Sequence, residues 1–243
     1  MDDTNKFLAE RAENIKTISS DDSLLKMGMS FVERSGRKKY SYNFDWLGLP
    51  IIQYPQDIVA MQEIVWKVKP DVIIETGVAR GGSLVLYASI LDLIGKGKVV
   101  GVELDLREHN KKRIQDHPLS KRISFVEGSS TDATTFEKVT SQIKPSDVVM
   151  VILDSNHTED HVTKELALYS KLVTRNSYLV VMDTSIEFMP DDYFPNRDWG
   201  KGNNPHSSVK KFLSTNKNFE IDQEVNGKLL ISVAYDGYLK RIN

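Results

Sequence analysis

Two aspartates and a histidine stand where chemistry is expected in a folded chain, because each follows an apolar, strand-like segment. Asp154 ends DVVMVILD, His157 comes three residues later, and Asp183 ends SYLVVMD. Neighbouring parallel strands end at one edge of a sheet, so the two carboxylates should lie close together. Carboxylates that repel each other favour a cation between them, and their oxygens suit Mg²⁺ or another hard divalent ion. The pattern predicts a metal site of Asp154, Asp183 and His157.

The catalytic prediction rests on the same residues. A metal held there would lower the pKa of a substrate hydroxyl and aim it at a reaction partner. Asp154 would hold the metal, and His157 would act as a ligand or as a general base. The alternative for His157 is a helix-start histidine with a structural hydrogen bond. His161, one helical turn later, is either its supporting partner or exposed.

A glycine-rich turn follows an earlier apolar segment and predicts a cofactor site. It runs ETGVARGGS, and its candidate binding residues are Glu75, Gly77, Gly81, Gly82 and Ser83. Glycines permit a tight turn and close approach of a ligand, and the helix that follows offers free N–H groups. These would suit the methionine carboxylate of S-adenosylmethionine or a phosphate. The spacing is not G-x-G-x-x-G, which argues against a dinucleotide.

Three further acidic or hydroxyl residues at strand ends extend this cofactor prediction. Glu103 ends KVVGVEL and is placed to accept hydrogen bonds from ribose hydroxyls, with Asp105 as a competitor. Ser130 and Asp132 follow the next strand and are candidates for contact with adenine. For Asp132, capping of the following helix is the alternative.

Two less regular segments are candidates for covering a substrate. The polar stretch from Thr184 to Asn204 has the length of a lid or binding loop, and it suggests Lys201, Asn204 and His206 as substrate residues. Near the N-terminus, aromatic rings alternate through YSYNFDW. We expect these rings to pack on the domain or a partner subunit, or to face a substrate.

The elements that must position these residues alternate between strand and helix. Nearly continuous apolar strands separated by helices predict a mostly parallel sheet with helices on both faces. Five such units followed by a closing strand pair, FEIDQEV and LLISVAY, are the order of a Rossmann-like class I methyltransferase fold. The prediction is a seven-stranded α/β sheet with an antiparallel terminal strand. Residues 1–50 form an N-terminal helical and aromatic extension, and residues 51–243 form the main domain.

Composition excludes several classes of function. Among 243 residues there is no cysteine, which rules out disulfides, zinc–thiolate sites and cysteine nucleophiles. A net charge of -2 gives no basic excess to indicate nucleic acid. No apolar run approaches the roughly 20 residues of a membrane span, and the polar N-terminus does not resemble a signal peptide. We therefore expect a cytoplasmic protein with a small-molecule substrate.

Four segments together resemble the cephalosporin hydroxylase / rhamnosyl O-methyltransferase family. They are YNFDWLGLPIIQYPQD, KPDVIIETGVARGGS, DSNHTEDHVTKE and WGKGNNPHSSV, and the likeness runs from about Tyr40 to Phe212. It implies a class I methyltransferase fold, S-adenosylmethionine as cofactor, Mg²⁺ in some members, a hydroxylated acceptor such as a sugar or antibiotic, and a homo-oligomer. By this resemblance, cofactor binding is carried over to Gly77, Gly81 and Glu103, and metal binding to Asp154 and Asp183.

One position departs from the family pattern. An acidic pair can stand at the end of the fifth strand, whereas Met182 precedes Asp183 here, so Glu187 or His157 would supply the missing ligand. No pair of histidines with a carboxylate supports an iron oxygenase. The sequence thus predicts metal-assisted O-methyl transfer. The alternatives are an NAD-dependent oxidoreductase and a non-catalytic subunit that binds S-adenosylmethionine or serves in assembly.

Overall fold

The computed structural model describes residues 2–243, which begin with two helices. These are α1 (Asp3–Ser19) and α2 (Asp22–Gly36). Both start at an aspartate whose side chain accepts backbone N–H groups of the first turn, Asp2 for α1 and Asp21 for α2, which satisfies donors that have no partner within the helix. No side chain of α1 is buried, and α2 buries only Gly28 and Val32, so these helices lie on the surface of the molecule.

A short 3₁₀ turn (Tyr40–Asn43) leads from α2 into a hairpin of β1 (Phe44–Trp46) and β2 (Leu49–Ile51). The ring of Tyr40 packs edge-on against Phe31 and Phe44, with centroids 5.5 and 5.1 Å away, while Tyr42 stays exposed. The alternating aromatic residues are thus split between packing and the surface. The boundary expected at residues 50 and 51 falls inside the second strand of this hairpin.

Strands and helices then alternate and build the main sheet. Its elements are α3 (Pro55–Val68), β3 (Val72–Thr76), α4 (Gly82–Ile94), β4 (Lys98–Glu103), α5 (Glu108–Gln115), β5 (Ile123–Glu127), α6 (Ala133–Thr140), β6 (Val149–Leu153), α7 (Glu159–Tyr169), β7 (Tyr178–Val181), α8 (Pro205–Thr215), β8 (Phe219–Ile221), α9 (Gln223–Lys228) and β9 (Tyr238–Arg241).

The sheet has seven strands in the order β5-β4-β3-β6-β7-β9-β8. The first five are parallel, and β9 runs antiparallel between β7 and β8. Side chains alternate across the sheet, so that in β3 Ile73 joins the core on one face while Val72 and Ile74 join the core on the other. The class I methyltransferase fold predicted from the alternating pattern is confirmed.

The second predicted closing strand, LLISVAY, is wrong. Residues 229–235 form a loop, and the last strand of the sheet is β9, which begins three residues later. The reason is Asp57 of α3, which is buried beside this loop. Its carboxylate accepts hydrogen bonds from the Ser232 hydroxyl at 2.6 Å and from the Val233 N–H at 3.0 Å. The Asp57 side chain therefore accepts hydrogen bonds that a neighbouring strand would otherwise take, and the apolar residues of the loop pack without a partner strand.

Among residues 2–243, no helix combines the length and apolar character needed to cross a membrane.

Candidate active site

A cavity of about 450 Å³ opens at the carboxyl ends of β3, β6 and β7. This is the edge at which ligands bind in open α/β sheets. Its floor includes the glycine turn after β3, Asp154 after β6 and Asp183 after β7, and α2 and the segment 193–199 contribute to its walls. The predicted residues that line it are Gly77, Gly81, Gly82, Ser83, Asp154, His157 and Asp183.

Asp154, His157 and Asp183 form one cluster in this cavity. One ligand atom from each lies within 4.8 Å of the other two, and His157 Nε2 is 3.4 Å from Asp183 Oδ2. Burial, followed by repulsion from Asp183, raises the pKa of the Asp154 carboxyl well above its ordinary value. Asp183 has a φ of 56°, a left-handed conformation that non-glycine residues adopt rarely. Two carboxylates at this spacing fit the donor preference of a hard divalent cation, and the imidazole beside them is placed either as a further ligand or as a base.

His157 is held by aromatic contacts as well as by Asp183. The ring of Trp199 meets the imidazole edge-on at 89°, with centroids 4.9 Å apart, and the guanidinium of Arg197 lies 4.8 Å from the Trp199 ring centroid. The side chain of His157 is 20% exposed, so these contacts orient the imidazole and leave it open to the cavity. Glu187, the other candidate for an additional ligand, accepts hydrogen bonds from Gly202 and Asn204 and lies outside the cluster.

The glycine turn lies directly against the end of β6. Gly77 has a φ of 88°, and a β-carbon built there would stand 2.0 Å from the carbonyl oxygen of Asp154. Gly81, the residue before α4, has a φ of 85° and no space for a side chain beside Ile114. Only glycine satisfies both the backbone conformation and the contact, so the turn and the carboxylate cluster are positioned together.

Beneath the turn lies a group of buried polar atoms without partners. Ser83 donates to Glu75 Oε2 at 2.7 Å, but Glu75 Oε1 has no hydrogen-bond partner. The same is true of both amide atoms of Gln53 and of the Tyr87 hydroxyl oxygen. Burial raises the pKa of Glu75 to about 8. Gln53 also lines the cavity, so unpaired donors and acceptors border the glycine turn, which is the chemistry that an amino acid group would complete.

Glu103 is occupied by the backbone of the glycine turn. Its Oε2 accepts the N–H groups of Val78 at 2.8 Å and Ala79 at 3.1 Å, and Oε1 accepts that of Leu104. Glu103 and its competitor Asp105 both line a second cavity of about 230 Å³. The two cavities share residues Ile52, Ala79 and Arg80, so they adjoin along the turn.

The structure does not bring Ser130 and Asp132 into the main cavity. Ser130 Oγ lies 3.0 Å from His161 Nε2, which is 3.2 Å from Ser155 Oγ, and Ser155 donates to the buried Glu165 at 2.7 Å. His161 thus contacts Ser155, which follows Asp154 in the chain, and a supporting role for it stays a prediction. Asp132 is exposed at the start of α6 and makes no capping hydrogen bond.

The three suggested substrate residues also lie outside the cavity lining. Asn204 is fully buried and caps α8, because its Oδ1 accepts the N–H groups of His206 and Ser207. The His206 ring packs against Phe188, and its Nε2 is 3.5 Å from Asp236. Lys201 is exposed. These placements show how the loop is held, and a substrate role for the three residues stays a prediction.

Several cavity residues were missed by the sequence analysis. The basic side chains Lys39, Arg80 and Arg197 line it, together with Gln53. Arg80 carries a signal that was available, since it lies between Gly77 and Gly81 of the glycine turn. Lys39 and Arg197 carry none, because they come from segments whose position over the sheet depends on tertiary packing.

Comparison with known proteins gives consistent matches to one group. A family model described as Rhamnosyl O-methyltransferase/CmcI matches residues 38–242. A rhamnosyl O-methyltransferase of Mycobacterium bovis (strain BCG) is 31% identical over 216 residues, which cover 84% of this chain and 82% of that protein.

Solved structures of CmcI share the fold at low sequence identity. A CmcI apo-structure has a TM-score of 0.60 and 20% identity, and the match covers 83% of this chain and 77% of that one. A CmcI structure with Mg and SAM has a TM-score of 0.58 and 18% identity, with 83% and 78% covered.

Proposed function

This chain belongs to the rhamnosyl O-methyltransferase/CmcI family, and from that premise we propose that it is an O-methyltransferase that transfers the methyl group of S-adenosylmethionine to a hydroxyl of a sugar or similar polar small molecule, with help from a divalent metal. The observation that carries the proposal is the cluster of Asp154, His157 and Asp183, which shares one cavity with the glycine turn. A methyl donor and a hydroxyl acceptor need such adjacent sites.

The cofactor would be held along the glycine turn. Gln53 and Glu75 offer unpaired buried polar atoms for the amino acid end of S-adenosylmethionine, and the start of α4 offers free N–H groups to its carboxylate. Glu103, in the adjoining cavity, would accept a ribose hydroxyl at the lone pair that its three backbone hydrogen bonds leave free. Ser130 and Asp132 remain sequence predictions for adenine contact.

The carboxylate cluster would orient and deprotonate the acceptor. Asp154 and Asp183 would hold the divalent metal, which supplies positive charge that lowers the pKa of a neighbouring hydroxyl. His157, oriented by Asp183 and Trp199, would take the hydroxyl proton as general base. S-adenosylmethionine would supply the methyl group: the hydroxyl oxygen would bond to the methyl carbon as the carbon–sulfur bond breaks, and the electron pair of that bond would stay on sulfur in S-adenosylhomocysteine.

The test is methyl transfer from S-adenosylmethionine to a panel of sugars, followed by mass spectrometry of the products with Mg²⁺ and with chelator. We expect a methylated product that depends on the metal. His157→Gln should lose turnover and retain Mg²⁺ affinity, whereas Asp154→Asn should lose both. His109→Gln and Asp160→Asn are matched controls at exposed positions outside the cavity. Full turnover of Asp154→Asn in chelator would contradict the metal assignment.

A further inference from the structure

The main cavity carries basic side chains that have no acidic partner. Lys39, Arg80 and Arg197 line it, and all three are exposed. Among residues 2–243, no carboxylate oxygen lies within 4.0 Å of their charged nitrogens. The chain as a whole has a net charge of -2, so these basic side chains in the cavity do not reflect a general basic excess.

Two of the three basic groups lie beside aromatic rings, on separate segments of the chain that line the cavity. Lys39 Nζ is 5.9 Å from the ring centroid of Tyr42, in the N-terminal segment, and the Arg197 guanidinium is 4.8 Å from that of Trp199. Lys39 has a φ of 54°, a conformation in which a lysine is unusual. Trp199 in turn contacts His157, so one of these pairs adjoins the carboxylate cluster directly.

We propose that the methyl acceptor is a phosphorylated sugar whose phosphate is bound by Lys39 and Arg197. This inference rests on the proposed function, because it describes the acceptor of the same site. Unpaired like charges in one cavity repel each other until an anion joins them. The planar guanidinium of Arg197 matches two phosphate oxygens, and Lys39 adds a point charge. Arg80 borders both cavities and is left to the cofactor side.

The distribution of charge also fixes the orientation of this acceptor. The metal that Asp154 and Asp183 would hold takes the sugar hydroxyl, so the anionic group lies at the basic side chains, at the other end of the acceptor. The rings of Tyr42 and Trp199 offer apolar faces to the sugar between the two ends. A cavity of about 450 Å³ is large enough for a sugar that bears a phosphate.

The test is calorimetric binding to the full chain saturated with S-adenosylhomocysteine and Mg²⁺. The probes are rhamnose, rhamnose 1-phosphate, a nucleoside diphosphate rhamnose and a hexuronate. We expect the phosphorylated probes to bind at least about ten-fold more tightly than rhamnose, with an affinity that falls as salt rises. A preference for the nucleotide form over the 1-phosphate identifies a nucleoside diphosphate sugar, and the reverse identifies a sugar phosphate.

Variants locate the anion. Lys39→Gln and Arg197→Gln should each weaken the binding of phosphorylated probes about ten-fold and leave the binding of rhamnose unchanged. Arg197→Lys should restore part of the lost affinity. Lys38→Gln and Arg34→Gln are exposed controls outside the cavity and should have no effect. The proposal would be overturned if rhamnose bound as tightly as the phosphorylated probes or if the hexuronate bound more tightly than they do. It would also be overturned if neither variant changed the affinity for the phosphorylated probes. If S-adenosylhomocysteine itself fails to bind, the proposed function fails instead.

Discussion

At the scale of single residues, chemical type and position at strand ends were enough to predict the cluster. Asp154 and Asp183 end neighbouring strands, and His157 follows the first of them, so topology alone brings the three side chains together. The residues around them were less predictable. Gln53 and Lys39 reach the cavity through the hairpin and α2, whose placement depends on long-range packing that leaves no periodic pattern in the chain.

Glu75 predicts a pH dependence of cofactor binding. Burial raises its pKa to about 8, so at neutral pH the carboxyl is mostly protonated, and a cofactor ammonium beside it would favour loss of that proton. Affinity for S-adenosylmethionine should therefore rise between about pH 6 and 8, with proton release on binding. Calorimetry in buffers of different ionisation enthalpy measures this release. Glu75→Gln should bind without it, and an unchanged proton release in that variant would disprove the assignment.

The close contact of Gly77 with Asp154 predicts that a substitution at Gly77 weakens both the cofactor site and the metal site. A β-carbon at this position would collide with the carbonyl oxygen of Asp154, and the positive φ adds strain. Gly77→Ala should weaken cofactor binding and metal binding together and lower stability by about 1–3 kcal/mol. Gly202→Ala is a control with a similar φ and no neighbour within 4 Å. Cofactor affinity in Gly77→Ala equal to that of the control would contradict the close contact.

At the scale of elements, the alternating strands and helices were predicted nearly to their ends, because parallel strands buried on both faces are continuously apolar. The structure of the chain after β8 was not predicted. Residues 229–235 are nearly continuously apolar, as in a buried strand, yet the Ser232 hydroxyl and the Val233 N–H donate to the buried Asp57. A side chain that is distant in sequence competes for the same hydrogen bonds, and local propensity cannot reveal that.

Asp57 predicts how stability changes with pH. Burial raises its pKa from an ordinary 3.8 to about 6, while hydrogen bonds from Ser232, Val233 and Tyr238 partly oppose the shift. The folded state therefore holds this proton more tightly. The contribution of the protonated Asp57 to the free energy of unfolding is complete below about pH 4. It is lost as pH rises through about 6, and the loss is about 3 kcal/mol.

The matching experiment compares urea unfolding of the wild type and Asp57→Asn. The variant cannot ionise, so its stability relative to the wild type should increase by up to about 3 kcal/mol between about pH 4 and 7. A parallel pH dependence of the two proteins would contradict an ionising buried carboxyl. Asp116→Asn, at a largely exposed site, controls for the change of net charge.

The contact between α2 and the segment 193–199 predicts that a change in α2 alters acceptor binding. Gly36, the last residue of α2, packs against Tyr193, so that an added β-carbon would lie 2.1 Å from the tyrosine hydroxyl oxygen. Tyr193 also donates to the Glu33 carbonyl, which ties the segment 193–199 to α2 over the cavity. Gly36→Ala should raise KM for the acceptor several-fold and leave cofactor affinity unchanged. Steady-state kinetics with each substrate varied separate the two effects, and an equal change in both would count against a cover over the acceptor alone.

At the scale of the whole molecule, the fold follows from the order of its elements, and the family follows from matches spread along the chain. Segments 32–42 and 193–199 line the cavity, and we propose that they select the acceptor; they come from separate parts of the sequence and meet only over the sheet. Homo-oligomerisation and a cytoplasmic location stay predictions from the sequence.

We propose that the glycine turn binds S-adenosylmethionine beside a divalent metal site. This proposal is tested most directly by calorimetric titration of S-adenosylmethionine and S-adenosylhomocysteine, with Mg²⁺ and with chelator, and with NAD as the control. We predict that both sulfur compounds bind and NAD does not, and that Mg²⁺ binding is lost in Asp154→Asn while cofactor binding persists. Binding of NAD, or of neither sulfur compound, would contradict the account.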